Sequence, residues 1–154
     1  MPGKSSAGLL LFRKVAWHPE VFLVHPGGPL WKNKYGGTWS IPKGEFDEIE
    51  APLEAAKREF FEETGKSISG KFIRLKPVKT KSGKTIYAWA IEKDIEAGDN
   101  VSNLFKMEWP PHSRKFEKFP EVDKAEWFSI TEAKEKINRA QVPLLNELEK
   151  ILSA

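Results

Sequence analysis

The chain has 154 residues, of which 40% are hydrophobic and 31% are charged. This length fits one ordinary globular domain, so we predict a single domain over residues 1–154. The composition excludes a disordered chain, and no apolar run approaches the roughly 20 residues that cross a bilayer, so we expect no membrane partner. The absence of cysteine excludes disulfides and thiolate metal sites, and it is compatible with the cytoplasmic location that we expect. A net charge of +3 does not indicate DNA binding, but it suits an anionic small molecule.

Short runs rich in β-branched and aromatic residues, bounded by glycine, proline or polar clusters, predict six strands. These are Ala7–Phe12, Val21–His25, Lys71–Val78, Thr85–Glu92, Leu104–Glu108 and Ala125–Ile130. We interpret the first run as a strand and not as a signal peptide, because no cleavage-type sequence follows it. The pair Ser82-Gly83 predicts a hairpin turn between the third and fourth strands.

Apolar residues at helical spacing predict helices over Pro52–Thr64, Thr131–Asn138 and Val142–Leu152. Thr131 or Ser129 is expected to cap the second helix. The apolar stripe of the third helix covers either the core or a partner, so a homodimer is possible but not indicated. Strands with helices between and after them predict a mixed α/β (α+β) architecture, with a sheet flanked by helices.

Two long segments, Pro26–Lys43 and Pro110–Lys124, show no regular pattern. We expect irregular loops there, and loops of that size in a compact domain are usually functional.

The first predicted helix ends in an unusual concentration of negative charge. Its sequence, GEFDEIEAPLEAAKREFFEETGK with the flanking residues, places Glu59, Glu62 and Glu63 just before Gly65. The helix dipole disfavours carboxylates at that end, and the i, i+4 pair of like charges adds repulsion. On spacing alone, a solvated helix face is the more common explanation for such a cluster. A hard divalent cation such as Mg²⁺ would offset both the unfavourable dipole and the repulsion between the carboxylates. Such an ion binds carboxylate oxygens and keeps positions free for phosphate.

This segment resembles the Nudix hydrolase motif, G-x5-E-x7-R-E-U-x-E-E-x-G-U, where U is a bulky apolar residue. The residues in register are Gly44, Glu50, Arg58, Glu59, Phe60, Glu62, Glu63 and Gly65. Lys66 stands where the final apolar residue is expected, with Ile68 two positions further on. The resemblance implies a Nudix-type α/β/α sandwich and a hydrolase that cleaves phosphoanhydride bonds with Mg²⁺ or Mn²⁺.

The resemblance also implies roles for individual residues. Glu59, Glu62 and Glu63 match the metal-binding positions, assisted by the carbonyl of Lys43. Arg58 matches the residue that orients the first glutamate, and Glu50 matches one that steadies the loop. Family members often recruit a further carboxylate before a late strand, for which we choose Glu121 over Glu117 and Glu126. Either Glu59 or Glu121 would be the general base, so we predict Glu59, Arg58 and Glu121 as catalytic residues.

Substrate contacts are predicted around the motif. The stretch WSIPKG, from Trp39, is similar to Nudix enzymes that act on diadenosine polyphosphates. Lys43 could contact a phosphate or be only an exposed turn residue, and the hairpin cations Lys79, Lys81 and Lys84 could contact a polyphosphate or form only a solvated turn. Tyr87, on the second strand of the hairpin, could offer its hydroxyl to a phosphate. We expect Lys43, Tyr87, Lys84 and Trp39 to contact substrate. Trp31, Trp39 and Trp109 lie in or beside the long loops, where one ring could stack on a base, although aromatic residues usually pack inward.

The sequence thus predicts a Mg²⁺-dependent pyrophosphohydrolase with a nucleoside polyphosphate substrate, either a dinucleoside polyphosphate such as diadenosine tetraphosphate or a nucleoside triphosphate. The alternatives are an RNA 5′ pyrophosphohydrolase and a noncatalytic nucleotide-binding module. The first is disfavoured by the small number of basic stretches, and the second by the retention of all motif acids.

Overall fold

The structure is a computed structural model, and it describes residues 4–31, 36–97 and 104–154. Its strands are β1 (Ser5–Val15), β2 (His18–Pro26), β3 (Lys43–Phe46), β4 (Ile73–Arg74), β5 (Val78–Lys79), β6 (Thr85–Glu92), β7 (Leu104–Glu108), β8 (Phe116–Pro120) and β9 (Val122–Ser129). The helices are α1 (Pro52–Thr64), α2 (Ile130–Lys136) and α3 (Val142–Ser153), with a 3-10 turn at Arg139–Gln141. No helix in these ranges is long and apolar enough to cross a membrane.

The main sheet is mixed, with the strand order β4-β6-β1-β2-β9. The central strand β1 runs parallel to β6 and antiparallel to β2, and its first half also pairs with β3. The pairing of Gly8 with Lys43 places β3 beside the N-terminal half of β1, directly under α1. This arrangement connects the loop before α1 to the middle of the sheet.

Helices cover both faces of this sheet. On one face, Ala55, Ala56 and Phe60 of α1 pack with alternate residues of β1 and β2. On the other face, α2 and α3 cover a second apolar cluster that includes Leu144, Leu145 and Leu148. The predicted α/β/α sandwich is confirmed, and the apolar stripe of α3 packs against its own core because these three leucines are fully buried.

The end of the first predicted helix and the start of the second follow ordinary capping rules. Gly65 ends α1 in the left-handed conformation, with φ at 76°, and its N–H donates to the carbonyl of Phe61. Ser129 caps α2, since its hydroxyl accepts a hydrogen bond from the backbone N–H of Glu132. Ser129 is therefore the cap, and Thr131 lies inside the helix. Ile68 is buried against the α1 face, which supplies the apolar contact that Lys66 does not.

The strand prediction for Lys71–Val78 was wrong in its length. The structure has only the short strands β4 and β5 there, separated by Leu75, Lys76 and Pro77. Proline has no backbone N–H to donate, so it interrupts the pairing with β6. The hairpin around Ser82-Gly83 is confirmed, because β5 and β6 pair and the Thr80 N–H donates to the Lys84 carbonyl at 2.9 Å.

The prediction of an irregular segment over Pro110–Lys124 was also wrong. Within it, β8 pairs with β7 to form a separate two-stranded sheet, and β9 begins at Val122. Most of β8 is exposed, so its sequence carries no pattern of alternating burial. The antiparallel pairing with β7, across the connection 109–115, creates this strand.

Candidate active site

Glu59, Glu62 and Glu63 lie in the last two turns of α1, and its last turn carries no basic side chain to complement the helix dipole. Glu59 and Glu63 are buried, with exposed fractions of 8% and 9%, because α1 turns them towards β3. Glu62 is half-buried. Glu59 and Glu63 therefore do not lie on a solvated helix face. The free-energy cost of burying their carboxylates has to be offset by hydrogen bonds or by positive charge.

Arg58 connects the loop before α1 to these acids. Its Nε and Nη2 atoms donate to the two carboxylate oxygens of Glu50, both at 2.8 Å, in a bidentate pair. Its Nη1 donates to Glu59 at 2.8 Å and to both oxygens of Glu62 at 3.2 Å. These carboxylates raise the pKa of Arg58 above its usual value. The guanidinium thus fixes Glu50 and holds Glu59 and Glu62 on the same side of the helix.

Strand β3 supplies the surface on which the Glu59 carboxylate rests. A Cβ atom on Gly44 would overlap that carboxylate, so only glycine fits there. The preceding residue, Lys43, is half-buried and interacts electrostatically with Glu63 and Glu59. Burial lowers the pKa of Lys43, and the positive charge of Lys84 adds to this effect.

The carboxylates share one electrostatic neighbourhood. Burial raises the pKa of Glu63 to about 8, and the charges of Glu59 and Glu121 add to the increase. Burial also raises the pKa of Glu59, with contributions from Glu62 and Glu121, whereas Arg58 opposes the change. Partial desolvation and the charge of Glu62 raise the pKa of Glu121. Three carboxyl groups whose ionisation is disfavoured by burial and by neighbouring carboxylates indicate a site adapted to positive charge.

Glu121 reaches this neighbourhood from the junction of β8 and β9. Its backbone carbonyl accepts a hydrogen bond from the N–H of Gly27 at 2.9 Å, which ties the junction to the end of β2. The rival residues are elsewhere. Glu117 pairs with Met107 in the separate β7–β8 sheet, and Glu126 pairs with Leu23, whose side chain packs on the α2–α3 face.

A cleft of about 270 Å³ opens beside these acids. Its lining includes the charged residues Lys43, Glu63 and Glu121, together with Trp31, Ser40 and Gln141. Trp31 is 42% exposed, so among the three loop tryptophans it presents an accessible ring to the cleft. Trp109 does not line the cleft.

Three of the predicted substrate contacts lie outside the cleft lining. Trp39 is only 3% exposed and packs edge-on between His25 and Phe128, so the prediction that it contacts substrate is corrected by its position in the core. Lys84 donates to Glu45 at 2.8 Å, and the half-buried Tyr87 packs against Phe46. Of the predicted contacts, Lys43 is the one that lines the cleft.

The polar wall of the cleft was not predicted from the sequence. Gln141 is buried, its side-chain oxygen accepts from the Ile41 N–H at 3.0 Å, and its amide nitrogen donates to the Ser40 hydroxyl at 3.0 Å. The two partners lie about a hundred positions away in the chain, so no local pattern marks Gln141 as part of a site.

The donor set fits a hard divalent cation. Mg²⁺ and Mn²⁺ prefer carboxylate oxygens, and Glu59, Glu62, Glu63 and Glu121 offer only such donors. Within residues 4–31, 36–97 and 104–154, no three acidic or histidine side chains are yet arranged around a common metal position. In the structure, the Nη1 atom of Arg58 donates to oxygens of both Glu59 and Glu62.

Comparisons with known proteins place this geometry in a family. The model of the NUDIX domain matches residues 4–148, nearly the whole chain, and the chain therefore belongs to the Nudix family. It is a hydrolase of the class that acts on pyrophosphate bonds, and the family generally uses a divalent metal. A search of curated protein sequences found no match.

Solved structures with the same fold include an Ap4A hydrolase from C. elegans in a binary complex, with a TM-score of 0.64 and 21% identity over 96% of this chain and 98% of that one. The NUDIX domain of NrtR from Shewanella oneidensis, complexed with ADP ribose, has a TM-score of 0.68 and 14% identity over 99% and 90% of the chains. The Nudix hydrolase RenU from M. smegmatis has a TM-score of 0.60 and 21% identity over 97% and 85%. At these identities the likeness concerns the fold.

Proposed function

We propose that this protein is a Mg²⁺-dependent (or Mn²⁺-dependent) pyrophosphohydrolase that cleaves a phosphoanhydride bond of a nucleoside polyphosphate by attack of water. We further propose that it forms a single domain over residues 1–154 and acts in the cytoplasm. The observation that carries the proposal is the pair of buried carboxylates, Glu59 and Glu63, beside a cleft that Glu121 borders from the opposite element.

In this proposal Glu59, Glu62 and Glu63, with the carbonyl of Lys43, hold the metal. When bound, a divalent cation offsets charge on phosphate oxygens and acidifies the attacking water. Arg58 positions Glu59 through the Nη1 hydrogen bond at 2.8 Å. Glu121 or Glu59 accepts the proton of water, since both carboxyl groups have a raised pKa and a general base works best when its pKa approaches the working pH.

The preferred substrate in this proposal is a dinucleoside polyphosphate, such as diadenosine tetraphosphate, or a nucleoside triphosphate. Lys43 is the cation of the cleft that would meet a phosphate, and Trp31 offers a ring on which a base can stack. Lys84 and Tyr87 remain proposed contacts only for parts of a substrate that extend past the cleft. The Ap4A hydrolase fold neighbour supports the dinucleoside preference, and the WSIPKG stretch agrees with it.

Two alternatives differ in what the site does. A noncatalytic nucleotide-binding module is disfavoured because all the motif acids are present. An RNA 5′ pyrophosphohydrolase gains support from the basic groove described below.

The deciding experiment compares Glu62→Gln with Glu117→Gln, which carries the same change in the β7–β8 sheet. We expect Glu62→Gln to keep the thermal unfolding temperature but to lose Mg²⁺-dependent phosphate release from the nucleotides of a substrate screen, and Glu117→Gln to keep both. Full activity in both Glu62→Gln and Glu63→Gln would remove the metal assignment. Equal turnover of sugar nucleotides and diadenosine tetraphosphate would remove the substrate preference. Tight nucleotide binding without turnover with any divalent metal would favour the binding module.

A further inference from the structure

Two further hollows continue from the cleft across the surface. Asn138 lines both the cleft and a second hollow of about 530 Å³, which the hairpin residues Thr80, Lys81 and Ser82 also line. Arg139 in turn lines the second hollow and a third one of about 770 Å³. The three hollows are therefore neighbours along the 3-10 turn, and a ligand longer than a nucleotide would extend from the cleft in this direction.

The third hollow lies between β5 and α3 and is strongly basic. We call it the basic groove, and its charged residues are Lys76, Lys79, Arg139, Lys150 and Glu147. All four cations are exposed, and within the described residues none of them forms an ion pair. The Glu147 carboxylate is engaged by the backbone N–H of Lys76 at 2.8 Å. Four cations against one carboxylate leave the groove with a clear positive excess.

Some cations elsewhere in the described chain are neutralised by a carboxylate. Arg13, Arg58, Lys84 and Lys134 each form an ion pair with a nearby carboxylate. Unpaired cations gathered on one wall repel one another unless an anion lies among them. The groove is therefore a surface that gains stability when it binds a polyanion.

The spacing of the cations indicates an extended ligand. Arg139 lies just before α3 and Lys150 lies near its end, and the eight helical steps from Val142 to Lys150 alone span about 12 Å at 1.5 Å per residue. The phosphates of a nucleotide in the cleft lie close to the bond that is cleaved. Contact with both cations requires negative charge repeated along a chain.

The described part of the groove also lacks aromatic rings on which bases could stack. Among the described residues that line it, none is aromatic, whereas proteins that hold the bases of single strands stack them on aromatic rings. Lysine and arginine side chains alone contact phosphate groups without regard to sequence.

We propose that the basic groove binds a chain of phosphate groups that continues beyond the nucleotide held in the cleft. The chain is either the phosphodiester backbone of a single strand or the phosphoanhydride chain of a long polyphosphate, which present the same repeated charge. This inference rests on the proposed function, because the cleft is where the chain begins.

Binding is tested first, without turnover, in the full-length protein with EDTA present. The probes are a fluorescent single-stranded oligoribonucleotide with a 5′-triphosphate and labelled inorganic polyphosphate, each long enough to pass the groove. The double variant Arg139→Gln/Lys150→Gln is compared with Lys14→Gln/Lys71→Gln, which removes the same charge at exposed positions outside the groove. We expect the groove variant to bind about tenfold more weakly than wild type, as for two lost surface contacts.

The salt dependence gives a second readout. For the oligoribonucleotide, the slope of log affinity against log salt should decrease in magnitude by about 1.4 in the groove variant, about 0.7 for each lost contact. Weakened binding of only one probe would identify the source of the chain and support the groove. The absence of binding by either probe, or an equal loss in the two double variants, would overturn the inference.

Kinetics then separate the groove from the active site. With Mg²⁺, the groove variant should hydrolyse ATP and diadenosine tetraphosphate as wild type does, and show a raised KM and an unchanged kcat for whichever long-chain substrate is turned over. If no substrate is hydrolysed while the groove variant still binds the probes more weakly, the proposed function fails and the groove stands. If ATP hydrolysis falls together with probe binding, the residues act on the cleft itself and the groove proposal is wrong.

Discussion

Gly44 and Glu59 lie so close together that there is no room for a methyl group between the Gly44 backbone and the Glu59 carboxylate. Gly44 is the second residue of β3, paired with Ala7 of the central strand, and a Cβ atom at this position would overlap the Glu59 carboxylate. Its backbone is not in the left-handed region, so the requirement for glycine is one of space. The sheet thereby limits how far the Glu59 carboxylate can move.

We expect Gly44→Ala to displace Glu59 and to reduce kcat/KM strongly, by roughly a hundredfold, as small misplacements in active sites do. Overpacking should cost about 1–3 kcal/mol of stability. The matched control is Gly36→Ala, because nothing lies within 4 Å of a Cβ atom at that position. Steady-state kinetics at saturating Mg²⁺ test this, and an active Gly44→Ala enzyme would show that Glu59 does not need its observed position.

The prediction that Glu121, and not Glu126, takes part in catalysis is tested by making the same substitution at both positions. Glu121→Gln removes a carboxylate that interacts with Glu62 beside the cleft, whereas Glu126→Gln makes the same change at an exposed position of β9. We expect the first to lower kcat by about 10²- to 10⁴-fold, the usual contribution of a general base, and the second to have no effect. A fully active Glu121→Gln variant would leave Glu59 as the general base.

The buried Glu63 predicts that the metal-free protein loses stability as pH rises. The pKa of Glu63 is about 8 in the folded protein against an ordinary value of 4.5, because the ionised form is desolvated and lies near Glu59 and Glu121. Between these values the folded chain keeps a proton that the unfolded chain releases. The free energy of unfolding therefore falls through this window, and the stabilising contribution is complete below 4.5 and lost above about 8.

Thermal unfolding in EDTA across this pH range measures the effect, since each 1 kcal/mol lost lowers Tm by roughly 2–4 °C in a chain of this size. Glu63→Gln should flatten the decline, because the amide does not ionise. Added Mg²⁺ should raise the Tm of the wild-type protein more at the alkaline end of the range than at the acid end. Parallel pH profiles of wild type and variant would show that Glu63 does not titrate in this window.

Two tryptophans of the first long loop, Trp31 and Trp39, show the limits of prediction from sequence. Trp31 and Trp39 are only eight positions apart, yet the first lines the cleft and the second lies in the core. The difference arises because Ser40 pairs with Val24 and Trp39 pairs with Ile137, which pulls this part of the loop against the sheet. Neither contact has a local cause in the sequence.

The sequence alone determined the motif helix, the acids it carries and the family, because helix periodicity, a proline at the start and a glycine at the end act over a few neighbouring residues. Tertiary structure alone decided that Glu59 and Glu63 are buried, that Glu121 joins them and that Gln141 closes the cleft. These outcomes depend on which distant strands pair, and pairing energy is shared between segments that are far apart in the chain. The same holds for the basic groove, whose cations come from the segment between β4 and β5, from β5, from the 3-10 turn and from α3, and meet only after folding.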